Sequence, residues 1–126
     1  MSVHKRWIHY PKSFLKVYSN AELKDKNAAQ FVGRASELIA AKLGKPIGYV
    51  VVSLAQEKTM AFGGSAENKG VLAYMDSIGF NDKEGLIKLL TEFFYERFEK
   101  VELYNINIVT TSLPASEVAI AGRFLG

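Results

Sequence analysis

Any chemistry in this sequence must come from lysines, aromatic side chains and backbone groups. The chain has no cysteine, and its two histidines, His4 and His9, both lie near the N-terminus. Without a thiol there is no disulfide framework, no thiol nucleophile and no cysteine-based zinc or iron–sulfur site. Two histidines five residues apart in a terminal arm bring too few ligands together for a metal. No Ser-His-Asp relay can be assembled when both histidines sit in that arm. No metal or other cofactor is therefore expected. Lys45, in Gly44-Lys45-Pro46, stands at the predicted end of a helix, where the dipole favours a cation. Gly63-Gly64 lacks the Lys-Ser/Thr pair and following helix of a phosphate-binding loop, so it reads as a turn. Lys5, Arg6, Trp7 and Tyr10 mix cations with aromatics, as single-strand nucleic-acid binders do. Trp7, Ile8 and Tyr10 fit better a segment that packs over a neighbour or adds a strand to it.

The elements that must position these groups fit one domain, since 126 residues is an ordinary single-domain length. The formal charge of +3 is unevenly placed. Residues 1–16 hold Lys5, Arg6, Lys12 and Lys16 with no acid, and the rest of the chain is nearly neutral. A protein whose whole surface is built for nucleic acid is thereby excluded, and nucleic acid is not an expected partner. No apolar run approaches the roughly 20 residues that span a bilayer. The scattered Val3, Trp7 and Ile8 do not form a secretory signal, so a cytoplasmic location is the default expectation.

Ser13 to Tyr18 reads as a strand rich in β-favouring bulk. A helix follows, with Ala28, Phe31, Val32, Ala35, Leu38, Ile39 and Leu43 spaced mostly by three and four residues, and Gly44 with Pro46 ends it. Tyr49 to Leu54 is a second strand whose valine run predicts burial on both faces. Val71 to Ile78 is a third. Asn81 is the expected cap of a second helix, with Glu84 as its capping-box partner and an apolar face of Leu86, Leu89, Leu90, Phe93, Phe94 and Phe98. A fourth strand is expected over about Leu103 to Val109, and a short, small-residue tail after Pro114. The order is strand, helix, strand, twice over. Two βαβ units side by side give an α/β domain with a four-stranded sheet and two helices on one face. The apolar strands make a solvated second face unfavourable, so another subunit is expected to cover it.

Four fragments recur together on this layout: Gly44-Lys45-Pro46 followed by Tyr49-Val50, Met60 to Ser65 (Met-Ala-Phe-Gly-Gly-Ser), Ser77-Ile78-Gly79, and a leucine-rich helix with Leu89-Leu90 and Glu96-Arg97. In this order and spacing they resemble the macrophage migration inhibitory factor (MIF) family of the tautomerase superfamily. The resemblance covers about residues 11–126, leaving residues 1–10 as a basic N-terminal extension. It implies a homotrimer whose sheets line a central barrel. It also implies keto–enol tautomerase chemistry on small aromatic α-keto acids such as phenylpyruvate. The base in the family is an N-terminal proline amine, its pKa lowered in an apolar pocket between subunits. By the resemblance Pro11 matches that proline, Lys45 holds the substrate carboxylate and the backbone N–H of Ile78 adds a donor. Tyr49 matches an aromatic at the pocket rim, and Tyr104 a tyrosine contributed by the neighbouring subunit's last strand. An asparagine two residues further on falls at Ile106, with Asn105 or Asn107 as alternatives.

Besides Ile106 in place of that asparagine, the sequence departs from the family pattern in three places. Pro11 follows Tyr10, and as encoded its nitrogen is a tertiary amide without a basic lone pair. The family's Cys-x-x-Cys segment falls at about Lys69 to Leu72, which excludes thiol oxidoreductase activity. Its C-terminal tryptophan falls near Val118. Two function classes therefore stand side by side. One is a tautomerase active when Pro11 is a free N-terminus. The other is a non-catalytic, cytokine-like trimer that binds a protein receptor, with the arm over the pocket. The family resemblance also implies export without a signal peptide as an alternative to the cytoplasm.

Overall fold

The computed structural model describes residues 12–126. Expectations that fall on residues 1–11, including Pro11, His4, His9 and the aromatic arm, lie outside the described residues. The order is β1 (Ser13–Ser19), α1 (Ala28–Leu43), β2 (Val50–Gln56), β3 (Val71–Ser77), α2 (Lys83–Arg97) and β4 (Ile106–Ser112). A small hairpin, β5 (Ala119–Ile120) with β6 (Arg123–Phe124), closes the chain. The sheet order is β2-β1-β3-β4. β1 runs parallel to β2 and β3 parallel to β4, while β1 and β3 are antiparallel. Two βαβ units thus meet along β1 and β3, as the repeated pattern predicts.

Alternation decides what each strand buries. In β1 and β3 the odd-numbered residues, Ser13 to Ser19 and Val71 to Ser77, are buried beneath the helices. Leu15, Val17, Ala73 and Met75 meet Phe31, Ala35, Ile39, Leu86, Leu90 and Phe94 in one core. Phe31, Phe93, Phe94 and Phe98 are its aromatic centre, with Phe31 ring centroids 5.2 Å from both Phe93 and Phe98. The even-numbered residues face away from the helices, and Phe14, Tyr18, Leu72 and Tyr74 there keep part of their surface open.

Three expectations change. β2 is not buried on both faces within one protomer: it is an edge strand, and Val51 is 46% exposed. Only the side carrying Val50, Val52 and Leu54 packs against the core. The cap of α2 is Asp82, not Asn81; its side chain accepts from the Gly85 N–H at 3.1 Å. That shift of one residue moves Glu84 into the first turn without its capping-box role. Leu89, expected on the apolar face, is instead 39% exposed at the edge of the buried stripe of Leu86, Leu90, Phe93 and Phe94. β4 begins at Ile106, because Leu103–Asn105 forms a 3-10 turn closed by Asn105 N–H on the Glu102 carbonyl at 2.9 Å. The tail after Pro114 is a 3-10 turn and the hairpin, pinned by buried Val118 and Leu125. No described helix is long and apolar enough to cross a membrane.

Candidate functional site at the Lys45 end of the sheet

Lys45 owes its position to the way α1 stops. Gly44 adopts φ +64°, a left-handed conformation glycine takes without strain. Its N–H bonds the Ala41 carbonyl at 3.3 Å, and the Lys45 N–H bonds the Ala40 carbonyl at 3.0 Å. This paired arrangement satisfies the last helical carbonyls and turns the chain sharply. Pro46 and the 3-10 turn Ile47–Tyr49 then lead into β2. The lysine side chain is directed to the start of β1 and is 7% exposed as a residue.

There the ammonium meets a buried row of hydroxyls. Lys45 Nζ donates to Ser13 Oγ at 2.7 Å. Ser13 Oγ lies 2.8 Å from Ser77 Oγ, which lies 3.5 Å from the Lys12 carbonyl oxygen. Both serines are fully buried. Burial pulls the lysine pKa from the ordinary 10.5 down to about 8, since desolvation disfavours the charged form. Beside Lys45, Glu37, Ala40, Ala41, Pro46 and Ile47 line an open cleft of about 560 Å³. The arrangement is a partly desolvated cation at the rim of an open depression, suited to holding a carboxylate.

Of the residues singled out in the sequence, Lys45, Tyr49 and Ile78 come to this end. Tyr49 closes the 3-10 turn after Pro46 and is half-buried. Ile78 follows β3 directly, and its N–H donates to the Lys12 carbonyl at 3.0 Å. That donor is engaged in extending the β1–β3 ladder. Tyr104 and Ile106 lie at the other end. β4 runs parallel to β3, so its first residue, Ile106, pairs with Val71 and its last, Ser112, with Ser77. Tyr104 sits in the 3-10 turn before β4, 92% exposed, and Ile106 packs half-buried against the core. A seven-residue strand spans roughly 20 Å, so Lys45 and Tyr104 of one protomer are far apart. Of the alternatives to Ile106, Asn107 donates to the Val71 carbonyl at 3.4 Å.

Ser13 and Ser77 are not singled out by the sequence, although a signal exists. Each is a hydroxyl residue at an inward position of a strand whose other inward residues near it are apolar. Among the described residues no group of three His, Asp or Glu side chains converges on a metal-sized site.

No curated protein matches the chain. A family model described as macrophage migration inhibitory factor matches residues 13–126. A solved macrophage migration inhibitory factor homologue from Prochlorococcus marinus is 22% identical, covers 90% of this chain and 99% of its own, and superposes with a TM-score of 0.79. The protein Pt0534, solved after inactivation by 2-oxo-3-pentynoate, is 18% identical over 88% of this chain and 94% of its own, with a TM-score of 0.76. A fused 4-OT protein, solved as a symmetric trimer, is 17% identical over 89% of this chain and 95% of its own, with a TM-score of 0.77.

Proposed function

Because the chain belongs to the macrophage migration inhibitory factor family, we propose that it is a keto–enol tautomerase of small aromatic α-keto acids, active when Pro11 is a free N-terminus. The observation that carries this reading is the buried Lys45 cation beside an open cleft. Lys45 holds the acid's carboxylate. The Pro11 amine takes a proton from the carbon next to the carbonyl and, now protonated, delivers it to the carbonyl oxygen, giving the enol and the free amine again; the return path reverses both transfers. Ile78 assists through a three-centre bond, its N–H shared between the Lys12 carbonyl and the acid. Tyr49 lines the rim. Inactivation of Pt0534 by a 2-oxo acid supports a substrate class of that kind.

The active form is a homotrimer in this reading. The sheet face opposite the helices carries Phe14, Tyr18, Val51, Leu72, Tyr74 and Val109, all at least partly open to solvent, and exposed apolar clusters of this kind mark interfaces. The fused 4-OT trimer supports this. A trimer also supplies what one protomer lacks, bringing Tyr104 and the start of β4, Ile106 with its alternatives Asn105 and Asn107, towards a neighbour's Lys45.

One observation favours a second reading. Tyr10 precedes Pro11 in the sequence, and an amidated proline nitrogen is no base. In that form the protein is a non-catalytic trimer that binds a protein receptor. The two readings separate in one experiment: phenylpyruvate tautomerisation, followed as enol absorbance, by the full chain and by a chain beginning at Pro11. Activity confined to the shorter chain supports the tautomerase. Inactivity of both sinks it and leaves the receptor-binding trimer. Light scattering at micromolar concentration checks the assembly, and a monomer mass contradicts both readings.

A further inference from the structure

We propose that the buried Ser13–Ser77 hydroxyl pair positions the Lys45 ammonium, tying the carboxylate anchor to the carbonyl of Lys12, the residue bonded to Pro11. The proposal rests on the reading of Lys45 as an anchor. Its direct evidence is the hydrogen-bond chain itself.

One polarity uses every contact in the chain. An ammonium donates and never accepts, a backbone carbonyl accepts and never donates, and each serine has one proton to give. Lys45 Nζ donates to Ser13 Oγ at 2.7 Å. With Ser77 donating to the Lys12 carbonyl across a long contact of 3.5 Å, Ser13 donates to Ser77 Oγ at 2.8 Å. Every hydroxyl in this buried row is used once as donor and once as acceptor. Such a row resists rearrangement, because breaking any bond leaves a buried polar group unmet.

Both hydroxyls are fully buried, which excludes the other reading of a lysine close to a serine. A nucleophilic serine needs a path for its substrate, and neither Ser13 nor Ser77 lines the cleft beside Lys45. They act on Lys45 and not on the ligand. The surroundings leave them this role alone. Lys16 and Asp76 project from the opposite face of β1 and β3, and the helix-side neighbours are Leu15 and Met75. Among the described residues, Glu37 on α1, Tyr49 after it and Lys12 before β1 are titratable side chains at the Lys45 end. The second consequence is mechanical. Lys12 O accepts from both Ser77 and the Ile78 N–H, so anchor, donor and strand start are fastened at one carbonyl.

The test reads the lysine directly. In the full chain without any acid, NMR titration of the Lys45 Nζ and Cε resonances, identified by their absence in Lys45→Met, reports its midpoint. Ser13→Ala removes an acceptor that favours the charged form, so the midpoint falls by about half a unit to one unit. Ser13→Thr keeps the hydroxyl on a residue suited to a strand, and its midpoint stays at the wild-type value. In the chain beginning at Pro11, phenylpyruvate affinity weakens about three- to tenfold in Ser13→Ala, the size of one ordinary hydrogen bond, since Ser13 acts on the acid only through Lys45. If Ser13→Ala does not fold, Ser77→Ala gives the same direction with a smaller shift. An unmoved midpoint in a folded Ala variant overturns the proposal, as does an equal fall in Ser13→Thr. A chain beginning at Pro11 that binds no phenylpyruvate while the midpoints shift as stated sinks the anchor reading and leaves the hydroxyl pair standing.

Discussion

β1 begins and ends on a fully buried serine, and the two do different things. At its far end Ser19 Oγ donates to the Gly70 carbonyl at 2.6 Å and accepts from the Ala21 N–H at 3.0 Å. Asn20 completes that turn, accepting from the Gly70 N–H and donating to the Asn68 carbonyl, each at 2.9 Å. The charge at this end is paired within the protomer: Asp25, its side chain 4% exposed, takes Arg97 on Oδ1 at 2.8 Å and has Arg34 at 3.8 Å, while its buried Oδ2 has no hydrogen-bond partner among the described residues. At the near end Ser13 meets a lysine whose charge burial makes costly. A buried hydroxyl closed on backbone groups seals a turn. A buried hydroxyl set against an ammonium keeps a charge where desolvation opposes it, which structure alone does not require.

That contrast predicts activity effects at one end and stability effects at the other. Lys45→Met in the chain beginning at Pro11 is expected to lower kcat/KM for phenylpyruvate about a hundredfold, since the acid's carboxylate loses the cation that holds it. A loss under threefold would erase the distinction between the ends. Arg97→Ala is expected to lower stability by about 2–3 kcal/mol, below the usual range for a broken buried pair because Arg34 remains. Urea unfolding measures this, and the acid affinity of the folded protein should not change. Ser19→Ala leaves the Ala21 N–H and the Gly70 carbonyl without that partner, at about 1–2 kcal/mol. An accompanying drop in phenylpyruvate affinity would make the two serines equivalent and break the comparison.

A further effect is in pH dependence. The folded protein holds Lys45 at about 8 against an ordinary 10.5, so between those values it binds fewer protons than the unfolded chain. Stability then rises with pH across that window, and the burden on the charged form is full below it. Relative to Lys45→Met, the wild-type urea midpoint should be constant below about pH 8, rise towards 10.5 and level off. Acid affinity moves the other way, falling up to tenfold per unit above about pH 8 as the anchor loses its charge. An affinity flat from about pH 7 to 10 would show that the cation does not hold the acid.

Much of this architecture is legible in the sequence. The three- and four-residue spacing from Phe31 to Leu43 locates α1, and Gly44 with Pro46 marks its end correctly because a left-handed glycine and a helix-breaking proline act through the local backbone. Lys45 stands out for the same reason. The cap of α2 is misplaced by one because Asn81 and Asp82 have equal capping chemistry. Lys42 distinguishes them from another helix, with Nζ 2.8 Å from Asp82 Oδ2, and that hydrogen bond holds the Asp82 carboxyl below its usual range. The start of β4 escapes a sequence reading because Leu103 and Tyr104 are as strand-like in composition as Ile106, Ile108 and Val109. Only the turn at Glu102 to Asn105 separates them.

The sequence by itself determined the order of the main elements, the family resemblance and the lysine at the helix end, because all of these follow from local spacing and backbone preference. It also determined that Pro11 is encoded behind Tyr10, which no fold can alter. Tertiary structure alone decided the partner of Lys45. Ser13 and Ser77 are 64 positions apart and meet through the antiparallel register of β1 on β3, a pairing that no local pattern specifies. The same register engages the Ile78 N–H at Lys12, and the parallel run of β4 on β3 carries Tyr104 to the opposite end. Hydrogen bonds across strands depend on which residues come to face each other. That is a property of the assembled sheet, not of any segment within it.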